Sequence, residues 1–268
     1  MKRLGVTKFL VFTPKNSSLL RLPLPRLLVD PFIMRTNIDA FKKAFAAQAA
    51  GKTVTKDSDD FYQLSVDKNG SGSAIIRFLQ PIDGEDPFVT LFNHAFQGAS
   101  GKWFIENCPS TLKLACPVCE SNSQLWNTDK ALASLRKRKK YYISNILVVA
   151  DPKMPENIGK VCGYKFGEKV MSKINDVISP VFPDVEPMDP FDPDAGANFR
   201  LRVTKSGSFP DYDKSSFDPP SSMGDEATVA KILSQRRSLA AIIAPDQFKS
   251  YDDLKKKFDQ IVGLAETA

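Results

Sequence analysis

A chain of 268 residues has room for one large domain or two small ones, and its 42% hydrophobic and 25% charged residues rule out wholesale disorder. No run approaches the ~18 apolar residues that a membrane-spanning helix requires. Four cysteines without paired spacing argue against a disulfide scaffold and for an intracellular protein with a metal site, and a single histidine excludes any mechanism needing two.

The net charge of +6 is unevenly spread. Residues 1–33 hold six Lys/Arg against Asp30, so the rest of the chain is nearly neutral. Within it, ten Lys/Arg against three acids lie between Lys130 and Lys169, and ten acids against four Lys/Arg lie between Pro183 and Glu226. A charge-sensing partner therefore meets a basic stripe.

Residues 1–33 are basic, leucine-rich and without stable period, and read as an extension outside the fold. Residues 34–56 read as an arm. Asn37 caps a short helix with Ile38, Phe41 and Phe45 on one stripe, Gly51 ends it, and a polar tether follows. From residue 57 to 268 the chain reads as a core. DFYQLSV, SAIIRFL, PFVTLFNHAF and KWFIEN are strands separated by the turn signals NGSG, DGEDP and QGASG. YYISNILVVAD, KVCGYKF and ANFRLRVTK continue the series, with the helix KVMSKINDVI between the last two. This pattern is mainly β with helices (α+β) and suggests a closed or partly closed small barrel. A proline- and aspartate-rich loop spans Pro180–Pro193. Two C-terminal helices follow, one after Asp225 and one starting at Ser250 with a capping box to Asp253.

His94, Cys108, Cys116 and Cys119 form H-x13-C-x7-C-x2-C. The pair Cys116–Cys119 encloses a tight turn that aims two thiolates at one cation, and Cys3His is a standard structural zinc set. The zinc subdomain spans about residues 94–126. A deaminase would place Glu two residues after the histidine and Pro before the first Cys of the pair; this chain has Phe96 and Ala115. Four protein ligands leave no open position for water, so the site reads as structural and the protein as no enzyme. Cys162 falls inside a strand and reads as an inert buried thiol.

Arg136, Lys137, Arg138, Lys139 and Lys140 run directly into Tyr141 and Tyr142. Single-strand binders combine a cationic track for phosphates with rings on which bases stack. Trp126, Tyr164 beside Lys165, Phe209 and Tyr212 are further candidate rings, and nothing in the sequence resembles a base-reading recognition helix. An RNA-binding module using the same cleft, a zinc deaminase or hydrolase, and an adaptor that docks an acidic partner remain as alternatives.

The stretches GSAIIRFL, LFNHAF, GKWFIENCPST, CPVC, LWNTD, KRK, SNILVVADP, PENIGKV, YKFG, KIND and GANFRLRV occur in this order. In them the chain resembles the single-stranded DNA-binding (helix-destabilising) protein family of T-even-like bacteriophages, from about Asn37 to Leu264. The resemblance implies an oligonucleotide-binding (OB) barrel with a zinc-bearing subdomain and C-terminal helices. It also implies cooperative, sequence-independent coating of single-stranded DNA in replication, recombination and repair, in the cytoplasm of an infected bacterial host. By position it implies one structural Zn2+ on His94, Cys108, Cys116 and Cys119. The cleft residues it implies are Arg77, Trp126, Lys137, Arg138, Lys139, Lys140, Tyr142, Tyr164, Lys165, Phe209 and Tyr212. Its arm, here Arg35, Phe41, Lys42, Lys43 and Phe45, implies contact between neighbouring copies, and its partners include a polymerase, a helicase loader and a recombinase. Three departures stand out. Ala133 replaces a family tyrosine and the loop Leu112–Ala115 is short and ringless; Arg35 alone precedes the arm helix, with Lys42 and Lys43 inside it, where the family has a basic cluster; and the family's acidic C-terminal tail has no counterpart before Ala268.

Overall fold

A computed structural model describes residues 61–99, 101–207 and 209–263. The extension, the arm and its residues Arg35, Phe41, Lys42, Lys43 and Phe45 lie outside these. Among the described residues nine strands form one mixed sheet: β1 (Phe61–Tyr62), β2 (Gly72–Phe78), β3 (Val89–Gln97), β4 (Trp103–Asn107), β5 (Lys139–Ala150), β6 (Val161–Phe166), β7 (Asn198–Ser206), β8 (Phe209–Asp211) and β9 (Ser216–Phe217). Five helices accompany them: α1 (Pro117–Thr128), α2 (Lys130–Arg136), α3 (Glu168–Ile178), α4 (Glu226–Leu233) and α5 (Tyr251–Val262).

The spine is β5, a 12-residue run rich in aromatic and β-branched residues. Its first five residues pair with β3, four of its last five with β2 around a bulge at Val149, and its middle with β6 on the other edge. The principal strand order is β1-β6-β5-β2-β7-β8. No pairing joins β1 to β8 among the described residues, so the sheet is open, and the closed form of the expected barrel is not what this topology presents. Hydrogen bonding settles the matter: closure needs the two edge strands to face each other.

Along β7, Phe199, Leu201 and Val203 point inward while Arg200 and Arg202 point out, the period of a strand with one buried face. They join Ile76, Phe78, Ile146 and Phe166 in the main core, which α3 closes with Val170, Met171 and Ile174. A second core holds Phe96, Phe104, Cys108, Cys116 and Val118 under α5. That helix is capped by Ser250, which accepts from the Asp253 amide, and ended by Gly263 in the left-handed region. Its buried Leu254, Phe258 and Ile261 each contribute roughly 1.5–3 kcal/mol. A Cβ on Gly98 would lie 2.2 Å from the Ile261 carbonyl oxygen, so only glycine lets the β3–β4 turn approach the end of α5 this closely.

The sequence reading missed α1 and α2. The Cys-Pro-Val-Cys turn is in fact a helix start, with Cys116 as N-cap and Pro117 in the first turn. Only Pro117, Val118 and Asn122 of α1 are buried, too thin a stripe to register as helical periodicity. The helix after Asp225 stops at Leu233, and a 3-10 turn at Ala240–Ile243 follows.

Candidate metal centre and nucleic-acid interface

Three elements deliver the metal-binding side chains. His94 comes from the middle of β3, Cys108 from the residue after β4, Cys116 from the N-cap of α1 and Cys119 from its first turn. Between them the chain reverses through a 3-10 turn at Pro109–Leu112, ending on Lys113 at φ 61°, a left-handed backbone rare outside glycine. The four ligand atoms all lie within 4.8 Å of one another.

The edges of this cluster test its fit. Cys108 Sγ to Cys119 Sγ is 3.5 Å, and His94 Nε2 lies 3.6 Å from Cys116 Sγ and 3.4 Å from Cys119 Sγ. A tetrahedron with metal–sulfur bonds of about 2.3 Å and metal–nitrogen bonds of about 2.0–2.1 Å has edges of about 3.5–3.8 Å. The donor set therefore surrounds a space sized for one tetrahedral cation. His94 Nδ1 sits 3.0 Å from the Arg136 carbonyl, an acceptor that orients the ring with Nε2 toward the Cys116 and Cys119 sulfurs. Burial disfavours charge on His94, but hydrogen bonds with Cys108 and Cys116 outweigh it and carry its pKa to about 9. Hydrogen bonds with Cys116 and Cys119 hold the Cys108 thiol well below its ordinary range. Cys162 is buried in the main core on β6 and takes no part in the quartet.

From the quartet the basic run leads to a trough. Lys137, Arg138, Lys139 and Lys140 are exposed, following α2 and opening β5. Arg138 lies 4.4 Å over the Phe92 ring and donates to Ser110 Oγ. Lys140 pairs with Glu168 and covers the Tyr142 ring. Beyond Lys139, a trough of about 830 Å³ is lined by Phe61, Tyr141, Lys165, Arg237, Asn107 and Gln247, among others. The Lys165 ammonium sits 4.1 Å from the Tyr141 ring centroid, and the Arg237 guanidinium 5.8 Å from that of Phe61. Burial, then the charge of Lys139, lowers the Lys165 pKa. An anion entering here would relieve that repulsion, while the ring faces beneath offer stacking surface.

Not every expected contact belongs to this surface. Arg77 is 1% exposed, and its Nη2 donates to the Asp192 carbonyl. Burial lowers its pKa to about 10. It anchors the acidic loop from below and reaches no solvent-borne phosphate. Tyr142 and Tyr164 are core residues stacked on Phe166, and Tyr142 donates to Glu168. Tyr212 is half-buried against the same core. Phe209 is 76% exposed on β8 and Trp126 43% exposed on α1, outside the residues lining the trough.

The sequence reading set Tyr142 in the site instead of its neighbour Tyr141, and it missed Phe61 and Arg237. Adjacent strand residues must point to opposite faces, so one tyrosine of the pair had to be buried. The register shows which: Tyr142 lies opposite buried Phe166, and Tyr141 opposite Leu91 on the trough side. Phe61 and Arg237 come together only through tertiary structure, and no local pattern marks them.

The family model described as "gp32 DNA binding protein like" matches residues 70–262. The chain is 43% identical over 216 residues to the single-stranded DNA-binding proteins of Enterobacteria phage T2 and Enterobacteria phage T4, matches covering 76% of this chain and 70% of each relative. A single-stranded DNA-binding protein from Enterobacteria phage RB70 is 45% identical over 86 residues, covering 30% of this chain and 73% of that relative.

Proposed function

The chain belongs to the family of gp32-like DNA-binding proteins, and from that premise we propose that it binds single-stranded DNA without sequence preference and catalyses nothing. The observation that carries this reading is the trough where the Tyr141 and Phe61 rings lie beneath the Lys165 and Arg237 cations, at the end of the Lys137–Lys139 run. Cations there hold phosphates and rings stack bases, a combination that tolerates any sequence because every base has a π-face. Preference for unpaired strands then shifts the melting equilibrium of a duplex by the difference in affinity.

Zinc is the cation we assign to the quartet, because three thiolates and one imidazole suit it. When bound, it would tie β3, β4 and α1 into one unit and so position the chain that leads through α2 to Lys137. We read the core as an OB-type fold with residues 94–126 as its zinc subdomain, supported by the family and by the sheet's β5 spine. Residues 34–56 serve as an arm between neighbouring copies, giving cooperative coating in replication, recombination and repair inside an infected host cell. Contacts with a polymerase, helicase loader and recombinase belong to the same reading. The names of the relatives support the single-stranded DNA in this reading, and the apolar stripe Ile38, Phe41 and Phe45 supports the arm. Among the described residues no helix is long and apolar enough to cross a membrane.

The test is titration of the metal-loaded full chain with labelled oligo(dT), the matching ribo-oligonucleotide and a duplex of the same length. We expect one zinc per chain and tightest binding to the deoxy single strand. Equal or tighter duplex binding would sink the proposal, and tighter ribo-oligonucleotide binding would move the site to RNA.

A further inference from the structure

We infer that the nucleic-acid track continues past the trough across the outer face of the β3–β4 hairpin, where Trp103 stacks a base. This rests on the reading that the trough takes single-stranded DNA. Asn93 on β3 lies opposite Asn107 of β4 on one edge and opposite Lys139 of β5 on the other. Directly opposed residues of antiparallel strands point to the same side, so these three side chains share one face. Steps of two along β4 add Ile105 and Trp103 to that face. Phe104 and Glu106 take the opposite face: Phe104 enters the second core, and Glu106 accepts from Lys249 and Lys257.

Asn107 already lines the trough, so trough, Asn93, Ile105 and Trp103 form one continuous strip. Strand geometry carries it roughly 14 Å beyond Asn107. Two observations mark this strip as a binding face. Trp103 and Ile105 are each 57% exposed, an unusual density of bare apolar surface two residues apart on one strand. Between them and Lys139, the Asn93 Oδ1 atom is buried with no hydrogen-bond partner. The exposed cations Lys137 and Lys139, on the β5 side of β3, favour a polyanion with stacking faces over an apolar protein surface.

The chain has only two tryptophans, Trp103 and Trp126, so Trp126→Phe leaves Trp103 as its only indole. The metal-loaded full-length variant is titrated with fluorescein-labelled oligo(dT) spanning about 4 to 16 nucleotides. Label polarisation reports binding, and indole emission reports Trp103. We expect quenching of Trp103 by the longer oligomers and not by the shortest. Trp103→Ala should weaken the longer oligomers about tenfold and leave the shortest unchanged, while Trp103→Phe retains most of the affinity. Saturable polarisation with flat Trp103 emission would overturn the extension and leave the trough reading standing. Emission that changes with protein concentration alone would reassign the strip to contact between copies. Absence of any polarisation change would overturn the trough reading, and the extension with it.

Discussion

Lys165 holds its ammonium 4.1 Å above the ring of Tyr141, on the strand neighbouring that ring's own. The pair places a cation and a stacking face side by side at the trough floor. Its neighbour Tyr142, one residue on, faces the main core between Phe88 and Phe166. Two adjacent tyrosines thus divide between binding and stability.

Substitution separates those roles. Tyr141→Ala should weaken oligo(dT) binding about tenfold, the lower part of the range for losing one base stack, with little change in unfolding midpoint. Tyr142→Ala should cost about 3–5 kcal/mol of stability, as for truncating a buried aromatic, and bind normally where it remains folded. Polarisation and urea unfolding read the two effects. The opposite pattern would show that the faces of β5 are assigned the wrong way round.

Salt dependence distinguishes the cations in the same way. Each phosphate neutralised contributes about −0.7 to the slope of log affinity against log salt on a single strand. Lys137, Arg138, Lys139 and Lys165 together imply a slope near −3. Lys165→Ala should make it shallower by about 0.7. Arg77→Met should leave the slope alone, because that guanidinium is buried beneath the acidic loop, where its Nη2 donates to the Asp192 carbonyl. A shallower slope for the Arg77 variant would contradict its buried placement.

The contrast between these residues shows what was legible in the sequence. The quartet was readable because its donors are scarce: the only histidine and three of four cysteines sit at ligand spacing. The basic run was readable because charge clusters survive projection onto one dimension. Arg77 was not, because its burial depends on a loop 115 residues away, and Tyr141 was not, because strand parity needs a partner to fix it. Phe61 and Arg237 meet across 176 residues, beyond any local signal. Helix α1 escaped because its position follows from two metal ligands and Asn122 donating to the Ala133 carbonyl, not from an apolar face.

Metal removal should act far from the metal. Cys108 and Cys116 belong to the same core as Leu254, Phe258 and Ile261, so stripping the cation loosens the floor on which α5 rests. Structural zinc in small peptides is worth ~10–16 kcal/mol, enough to decide whether this subdomain folds. Chelation should therefore raise hydrogen exchange in α1 and α5 while β2 and β7 stay protected. Oligo(dT) binding should fall in parallel, as Lys137 and Arg138 lose their support. Uniform deprotection of the whole chain would show instead that the two cores unfold as one.

Alkali should expose a different buried group. The Tyr62 hydroxyl donates to Asp151 Oδ2 at 2.9 Å beside the trough. Burial, then the hydrogen bond and charge of Asp151, raise its pKa far above the ordinary value of 10.0. The unfolded chain releases this proton near pH 10 while the folded chain keeps it. Stability is therefore complete below that pH and declines as pH rises, by up to about 1.4 kcal/mol per pH unit for each such group. Tyr164 and Tyr212 are raised by burial too, and add to the same limb. Tyr62→Phe should cost about 1 kcal/mol at neutral pH for the lost hydrogen bond, yet decline less steeply above pH 10 than the parent. Urea unfolding of both proteins from about pH 9 to about pH 11 reads the difference, in which the shared titration of lysines and other tyrosines cancels. Parallel curves would mean that Tyr62 gives up its proton in the folded state as readily as in the unfolded one, and that the Asp151 contact does not hold it.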